Sequence, residues 1–118
     1  DDMYLYVANM EIITVNGEDQ YQVFWMRYTL DEVGRAVEKT IFFSATDTSL
    51  PGGPDGMKVD RNGNLFLTGP GGILVVDPEG THLGTIGIPI PAANLAFGPK
   101  EKELFVTARS TVVRIDLN

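Results

Sequence analysis

Asp55 is the residue whose type and setting are best suited to chemistry. It lies in the segment PGGPDG (51–56), between two glycine-containing turns and just before a predicted strand. A carboxylate in this position can ligate a hard cation, which prefers oxygen ligands, or accept a proton from an attacking water. Pro, Asp and Gly are also the residues that turns favour, so Pro54-Asp55-Gly56 can equally be an ordinary turn. On the residues alone, both interpretations stay open.

Asn94 starts a later strand, 39 residues after Asp55. If the two positions are equivalent, its carboxamide would face the same space and contact a substrate or a metal-bound water. The alternative is an Asx-type turn or cap, in which the side chain bonds to its own backbone. We predict Asn94 as a substrate-binding residue and keep the turn as the alternative.

Two other polar features have structural explanations. His82 is the single histidine, which excludes a two-histidine metal site and argues against a serine triad; a polar residue on a strand is the simpler interpretation. The segment DRNGN (60–64) resembles the start of a calcium loop but lacks the distal glutamate of that pattern. Its Asn62-Gly63 pair predicts a hairpin turn instead.

Composition excludes several classes of function. Nine basic and sixteen acidic residues give a net charge of −7, which disfavours nucleic acid and anionic membrane surfaces as partners. The chain has no cysteine, so disulfides, thiolate metal sites and thiol catalysis are excluded. No apolar run approaches the roughly 20 residues of a membrane span. The first residues resemble neither a signal nor a transit peptide, but a removed signal leaves the compartment open.

Short β-rich segments must position these residues. Ten runs are rich in β-branched or aromatic residues and are separated by turn signals such as Asn16-Gly17 and Asn62-Gly63. No window of ten or more residues has a helical period, so we predict an all-β fold. The predicted strands cover residues 4–8, 22–28, 40–44, 57–60, 64–68, 73–77, 83–86, 94–97, 103–107 and 112–116. Residues 9–21 are predicted as a long hairpin loop, with Asn9 as a turn residue.

An internal repeat distinguishes among the all-β architectures. When the segment from Asp55 is laid on the segment from Asn94, without gaps, apolar and turn positions coincide; Leu65 falls on Leu104 and Asp77 on Asp116. A repeat of about 40 residues with four strands is typical of β-propeller blades. We therefore predict a single partial propeller domain over residues 1–118.

The strand order divides this domain into about two and a half four-stranded blades. Residues 1–50 form a blade without its innermost strand, residues 51–89 a complete blade, and residues 90–118 a blade without its outermost strand. Because an open stack of blades leaves unpaired sheet edges and uncovered faces, we expect completion by oligomerisation or by a missing half.

The run from Pro51 to Gly72, PGGPDGMKVDRNGNLFLTGPGG, resembles the signature of the gluconolactonase/regucalcin (senescence marker protein) family. The segments LGTI (83–86) and ANLAFG (93–98) extend the resemblance, as do LYVAN (5–9) and WMRY (25–28). The similarity fits the C-terminal half of that family. It implies a six-bladed propeller that holds a divalent cation, calcium or zinc, in its central channel and hydrolyses lactones.

The resemblance also implies residue roles. The aspartate of this motif is a metal ligand and is assigned the role of catalytic base, so both roles fall on Asp55. The family's other ligands are a glutamate near the start of the full-length protein and asparagines, one of them in a Ser-Asn-Gly segment upstream of the strand that matches 5–8. That segment is not in this sequence, so we expect the isolated chain to be inactive or nearly so.

Two functions therefore remain. In the first, the chain is a fragment or shortened homologue of a metal-dependent lactone hydrolase and is complemented by an N-terminal half. In the second, it is a non-catalytic binding or structural module that self-associates as a homo-oligomer. The missing ligands, the incomplete terminal blades and the single histidine favour the second for this chain, and the family resemblance favours the first.

Overall fold

The computed structural model describes residues 3–45 and 49–117, which form ten β-strands and one short 3-10 helix. The strands are β1 (Met3–Val15), β2 (Glu18–Leu30), β3 (Ala36–Ser44), β4 (Met57–Val59), β5 (Leu65–Gly69), β6 (Gly72–Val76), β7 (His82–Gly87), β8 (Asn94–Phe97), β9 (Glu103–Ala108) and β10 (Thr111–Asp116). The 3-10 helix, Pro99–Glu101, connects β8 to β9. In this described part of the chain, no helix is long and apolar enough to cross a membrane. The all-β prediction and the order of the strands are confirmed.

The strands pair into three antiparallel sheets. Sheet 1 has the order β1-β2-β3, sheet 2 the order β4-β5-β6-β7, and sheet 3 the order β8-β9-β10. The four-stranded sheet lies in the middle of the sequence, as the repeat predicts. Division of the chain into blades after residues 50 and 89 is an interpretation of these sheets.

The two central strands of sheet 2, β5 and β6, are buried on both faces. Leu65 and Leu67 of β5 face a core with Val23 and Trp25 of sheet 1, while Phe66 faces a second core with Leu104 and Val106 of sheet 3. Side chains of a strand point alternately to opposite faces, so a strand covered on both sides becomes apolar at nearly every position. This explains the uninterrupted run LFL at the centre of the repeat.

Three of the hairpin connections have the same turn. In each, an aspartate is followed three residues later by a glycine with φ between 83° and 88°: Asp31 with Gly34, Asp60 with Gly63, and Asp77 with Gly80. The aspartate Oδ1 accepts hydrogen bonds from the backbone N–H groups two and four residues further on, at 2.8–3.0 Å. The turn predicted at residues 60–64 is therefore confirmed, and the Oδ1 atom of Asp60 is held by its own turn.

The predicted long loop between the first two strands is wrong. β1 and β2 continue as a paired ladder to Val15↔Glu18, and the connection is the two-residue turn Asn16-Gly17 with φ of 51° and 80°. Positive φ at both residues is the signature of a type I′ hairpin turn, for which Asn-Gly is strongly preferred. Asn9, predicted as a turn residue, lies inside β1, where its Nδ2 donates to the carbonyl of Val7 at 3.0 Å.

Candidate functional site

Asp55 lies two residues before β4, an edge strand of sheet 2, and is exposed. Its backbone N–H donates a hydrogen bond of 2.9 Å to the hydroxyl of Thr68, a residue with no exposed surface at the end of β5. The buried hydroxyl of Thr68 thus fixes the backbone of Asp55, while the carboxylate of Asp55 remains in solvent. Thr68 was not among the residues predicted for the site; its signal is a polar residue that ends an otherwise apolar strand.

Asn94 is the first residue of β8, an edge strand of sheet 3, and is also exposed. Its Oδ1 accepts a hydrogen bond of 2.9 Å from the N–H of Leu95. Its backbone carbonyl accepts the hydroxyl of Thr107 at 3.4 Å. This bond joins adjacent residues and is not the Asx turn that the sequence left as an alternative, in which the N–H two residues further on donates. The amide of Asn94 is nevertheless oriented by its own backbone.

The structure brings these two loops together. The N–H of Gly56 donates to the carbonyl of Ala93 at 2.9 Å, which joins the start of β4 to the residue before β8. A β-carbon built on Gly56 would lie only 2.8 Å from the Cα of Asn94. Gly56 consequently packs against Asn94 where two sheets meet, and Asp55 is the residue that precedes this glycine.

The repeat places Asp55 and Asn94 in equivalent positions, but the sheet register differs by one residue. Asn94 is opposite Thr107, whereas the N–H of Thr68, the counterpart of Thr107, donates to the carbonyl of Gly56. A shift of one residue moves a side chain to the other face of a strand. Gly56, and not Asp55, is therefore the structural counterpart of Asn94.

The described residues fit a divalent cation only in part. Calcium takes six to eight oxygen ligands, and catalytic zinc takes three protein ligands. Asp55 offers one carboxylate, and residues 3–45 and 49–117 contain no group of three or more His, Cys, Asp or Glu side chains able to hold a metal ion. We therefore derive no chemical step through a metal from these residues.

His82 lies on β7 and is exposed. Its Nε2 is 3.0 Å from the hydroxyl of Thr85, and its ring centroid is 5.4 Å from that of Phe43. The prediction of a polar residue on a strand is confirmed.

A groove of about 440 Å³ adjoins the candidate site. It is lined by Met10, Tyr21, Val23, Gly52, Gly53 and Pro91. The first three come from the β1–β2 hairpin, and the others from the segments that precede Asp55 and Asn94. Met10 and Tyr21 were missed because residues 9–21 were predicted as a loop. The Asn16-Gly17 pair between two apolar stretches was the available signal.

Comparison with known proteins gives one consistent group of relatives. Residues 14–110 match a family model described as the SMP-30/gluconolactonase/LRE-like region. A gluconolactonase from Zymomonas mobilis subsp. mobilis is 38% identical over 121 aligned positions, which cover 98% of this chain and 32% of that protein. This chain therefore spans about a third of that relative's length.

Solved structures agree with the sequence comparison. The gluconolactonase XC5397 from Xanthomonas campestris superimposes with a TM-score of 0.72 and 29% identity, over 81% of this chain and 31% of that chain. A luciferin-regenerating enzyme superimposes with a TM-score of 0.61 and 26% identity, over 74% of this chain and 33% of that chain.

Proposed function

The chain belongs to the SMP-30/gluconolactonase/LRE-like family, and we propose that it carries part of the active site of a gluconolactonase-like lactone hydrolase. The observation that carries the proposal is the meeting of two loops at the ends of β4 and β8. The exposed carboxylate of Asp55 and the exposed amide of Asn94 flank the hydrogen bond from Gly56 N–H to Ala93. Family membership supports the proposed reaction class, and this geometry supports Asp55 and Asn94 as the proposed residues.

In the proposed reaction, Asp55 acts as the general base. Its carboxylate accepts a proton from a water molecule as the water oxygen bonds to the lactone carbonyl carbon. The bond from that carbon to the ring oxygen then breaks, and the ring oxygen takes up the proton that Asp55 had accepted, so that a hydroxy acid is released and the Asp55 carboxylate is restored. Asn94 donates a hydrogen bond from Nδ2 to the lactone, because its Oδ1 already accepts from Leu95 N–H. These contacts orient the substrate beside the base.

A divalent cation, calcium or zinc, would supply Lewis-acid polarisation of the lactone carbonyl. Asp55 is the residue of this chain that we propose as its ligand. One carboxylate does not hold a catalytic cation, since affinity depends on several converging oxygens. We therefore propose that the remaining ligands come from a complementing N-terminal half, and that the isolated chain has little or no activity.

A second candidate function is a non-catalytic module that self-associates as a homo-oligomer. It is favoured by the face of sheet 1 that points away from sheet 2. There Leu5 and Ile41 are 51% and 64% exposed, beside the half-buried Phe24 and Met26 of β2. Apolar side chains that remain open in one chain become buried when another sheet covers them.

A chimera separates the two candidates. This chain replaces the matching third of the Zymomonas mobilis gluconolactonase, and hydrolysis of glucono-1,5-lactone is followed by pH-stat with added calcium or zinc. We expect activity that is lost in Asp55→Asn and kept in Glu79→Gln, which removes the same charge from an exposed turn. A folded but inactive chimera would overturn the proposed function. Activity that survives Asp55→Asn would overturn the role of Asp55.

The same assay is run on the full chain alone, together with sedimentation equilibrium. An inactive chain that takes up no cation and forms a defined oligomer, alongside an inactive chimera, would favour the structural module. Metal-dependent hydrolysis by the chain alone would contradict our expectation that it needs a complementing half.

A further inference from the structure

The β1–β2 hairpin projects beyond the end of sheet 2 on the side where Asp55 lies. β1 matches β5 in the repeat, with Ala8 at the position of Thr68, and Thr68 holds the backbone of Asp55. β5 ends one residue later at Gly69, whereas β1 continues to Val15. The extra residues of the hairpin therefore extend past the sheet next to the loop that precedes Asp55.

The hairpin presents apolar side chains towards that loop. Side chains of Met10 and Ile12 lie on the same face of sheet 1 as Ala8, which is opposite the buried Trp25. This face packs against sheet 2 to form the core. Beyond the end of sheet 2, however, no strand of that sheet covers it. Met10 is 56% exposed there, and Tyr21, opposite Ile12, is 52% exposed. Open apolar side chains on a core-facing surface indicate a binding surface.

The other wall of the groove belongs to the candidate site. Gly53 is two residues before Asp55, and Pro91 is three residues before Asn94. A β-carbon added to Gly53 would meet no atom within 4 Å, so the space above its backbone is open. The groove, with a volume of about 440 Å³, is therefore lined by residues that lie two and three positions before the two candidate residues.

The chemistry of the lining selects the ligand. Apart from the hydroxyl of Tyr21, the lining side chains are apolar or absent: Met, Val, Pro and two glycines. Hydroxyl groups of a polyhydroxylated substituent that face this lining would find no side-chain partner except the Tyr21 hydroxyl, which costs binding free energy. An alkyl or aryl substituent would instead be removed from water against Met10 and Tyr21.

We infer that the β1–β2 hairpin and the Gly52-Gly53 segment form a subsite for the apolar substituent of a lactone, so that the preferred substrates are alkyl- or aryl-substituted lactones. This inference rests on the proposed function, because that function places the lactone ring beside Asp55. The ring lies at Asp55 and Asn94, and the substituent lies in the groove.

Binding to the full chain tests the subsite without requiring activity. The methionine methyl groups are labelled with ¹³C, and δ-lactones with unbranched alkyl substituents of increasing length are titrated while the four methyl resonances are recorded. We expect saturable shifts of Met10, with affinity that rises about fourfold per added methylene until the groove is full. Met3, which is 51% exposed elsewhere on sheet 1, reports non-specific binding.

Gly53→Leu fills the groove, since the glycine has open space and a φ outside the left-handed region. We expect it to weaken alkyl-lactone binding about tenfold or more, which corresponds to nearly two buried methylenes. Gly84→Leu is the matched control, because Gly84 also has open space but lies on β7, which does not line the groove. It is expected to bind as the unmodified chain does.

Several results would overturn the inference. Equal shifts of the Met3 and Met10 resonances would show non-specific binding, and equal affinity for glucono-1,5-lactone and for the alkyl lactones would show no preference for an apolar substituent. Unchanged binding in Gly53→Leu would place the ligand outside the groove. A further contrary result is a Met10 resonance that shifts with protein concentration and not with lactone concentration. The last result would assign the hairpin to contacts between chains. Alkyl-lactone binding is expected to persist in Asp55→Asn, so a failure of hydrolysis and a failure of the subsite are observed separately.

Discussion

Gly56 lies directly against Asn94, so that a β-carbon at position 56 would come within 2.8 Å of the Asn94 Cα. The neighbouring hydrogen bond from Gly56 N–H to Ala93 is 2.9 Å long. Sheets 2 and 3 therefore meet backbone to backbone at the candidate site, and the glycine is required by this approach. Position 56 requires glycine because a β-carbon would clash with Asn94. The backbone conformation does not impose this requirement, since the φ of Gly56 is outside the left-handed region.

Gly56→Ala is expected to lower the free energy of unfolding by about 1–3 kcal/mol, because the added methyl group forces a shift of the backbone at Asn94. Urea denaturation monitored by Trp25 fluorescence measures the change. Gly53→Ala is the control three residues away: its β-carbon meets nothing, and its stability should equal or slightly exceed that of the unmodified chain. Equal stability of the two variants would contradict the close approach.

The hydroxyl of Thr68 is expected to fix the loop that carries Asp55. Thr68→Val keeps the shape of the buried side chain but leaves the Asp55 N–H without its acceptor, at a cost of about 1–3 kcal/mol in the free energy of unfolding. Amide hydrogen exchange at Asp55 should also become faster. Both effects are measured on the same samples, by urea denaturation and by NMR.

Two matched variants control the Thr68 experiment. Thr68→Ser retains the hydroxyl and should keep the slow exchange at Asp55. Thr107→Val removes the corresponding hydroxyl in sheet 3, which is exposed and makes a longer bond of 3.4 Å to Asn94, so it should change stability by less than about 0.5 kcal/mol. If Thr107→Val lowered the free energy of unfolding as much as Thr68→Val, the burial of Thr68 would not explain the loss of stability.

Much of the fold could be predicted from the sequence, because its signals are local. Turn residues such as Asn62-Gly63 separate short strands, and the apolar run 65–67 marks a strand buried on both faces. The strands of the first hairpin were predicted too short, because matching them to the shorter strands of the repeat left residues 9–21 as a loop. The outer part of the hairpin is stabilised by its own Asn-Gly turn and by cross-strand contacts. One of these is the hydrogen bond that Thr14 Oγ1 donates to Asp19 Oδ1, at 2.7 Å.

The candidate site was predicted less completely. Its motif pointed to Asp55, but the equivalence of Asp55 and Asn94 depends on how β4 pairs with β5 and β8 with β9, and these two registers differ by one residue. Thr68 was missed for a similar reason, since its role depends on burial. Such long-range relationships leave no periodic pattern in one sequence.

The three Asp-x-x-Gly turns should contribute through their aspartate side chains. Asp60→Ala removes the acceptor of the N–H groups of Asn62 and Asn64, and the free energy of unfolding should fall by about 1–2 kcal/mol. Asp60→Asn retains Oδ1 as an acceptor and should cost less. Thermal unfolding of both variants provides the measurement, and equal losses would mean that the charge of Asp60, and not its hydrogen bonds, stabilises the turn.

The last prediction concerns the turn that holds the projecting hairpin. Gly17 has a φ of 80° and open space around its α-carbon, so Gly17→Ala meets no clash but strains the backbone by about 1–2 kcal/mol. Because the hairpin beyond Asn9 lies past the end of sheet 2, this strain should be released by fraying of the hairpin. Amide hydrogen exchange should become faster between residues 10 and 21, while β5 and β6 keep their protection.

The same variant should bind alkyl lactones severalfold more weakly, because Met10 and Tyr21 lose their fixed positions in the wall of the groove. Gly84→Ala, at an exposed strand glycine with open space, should change neither measurement. Faster exchange in the hairpin with unchanged lactone affinity would show that the hairpin does not form the wall of the subsite.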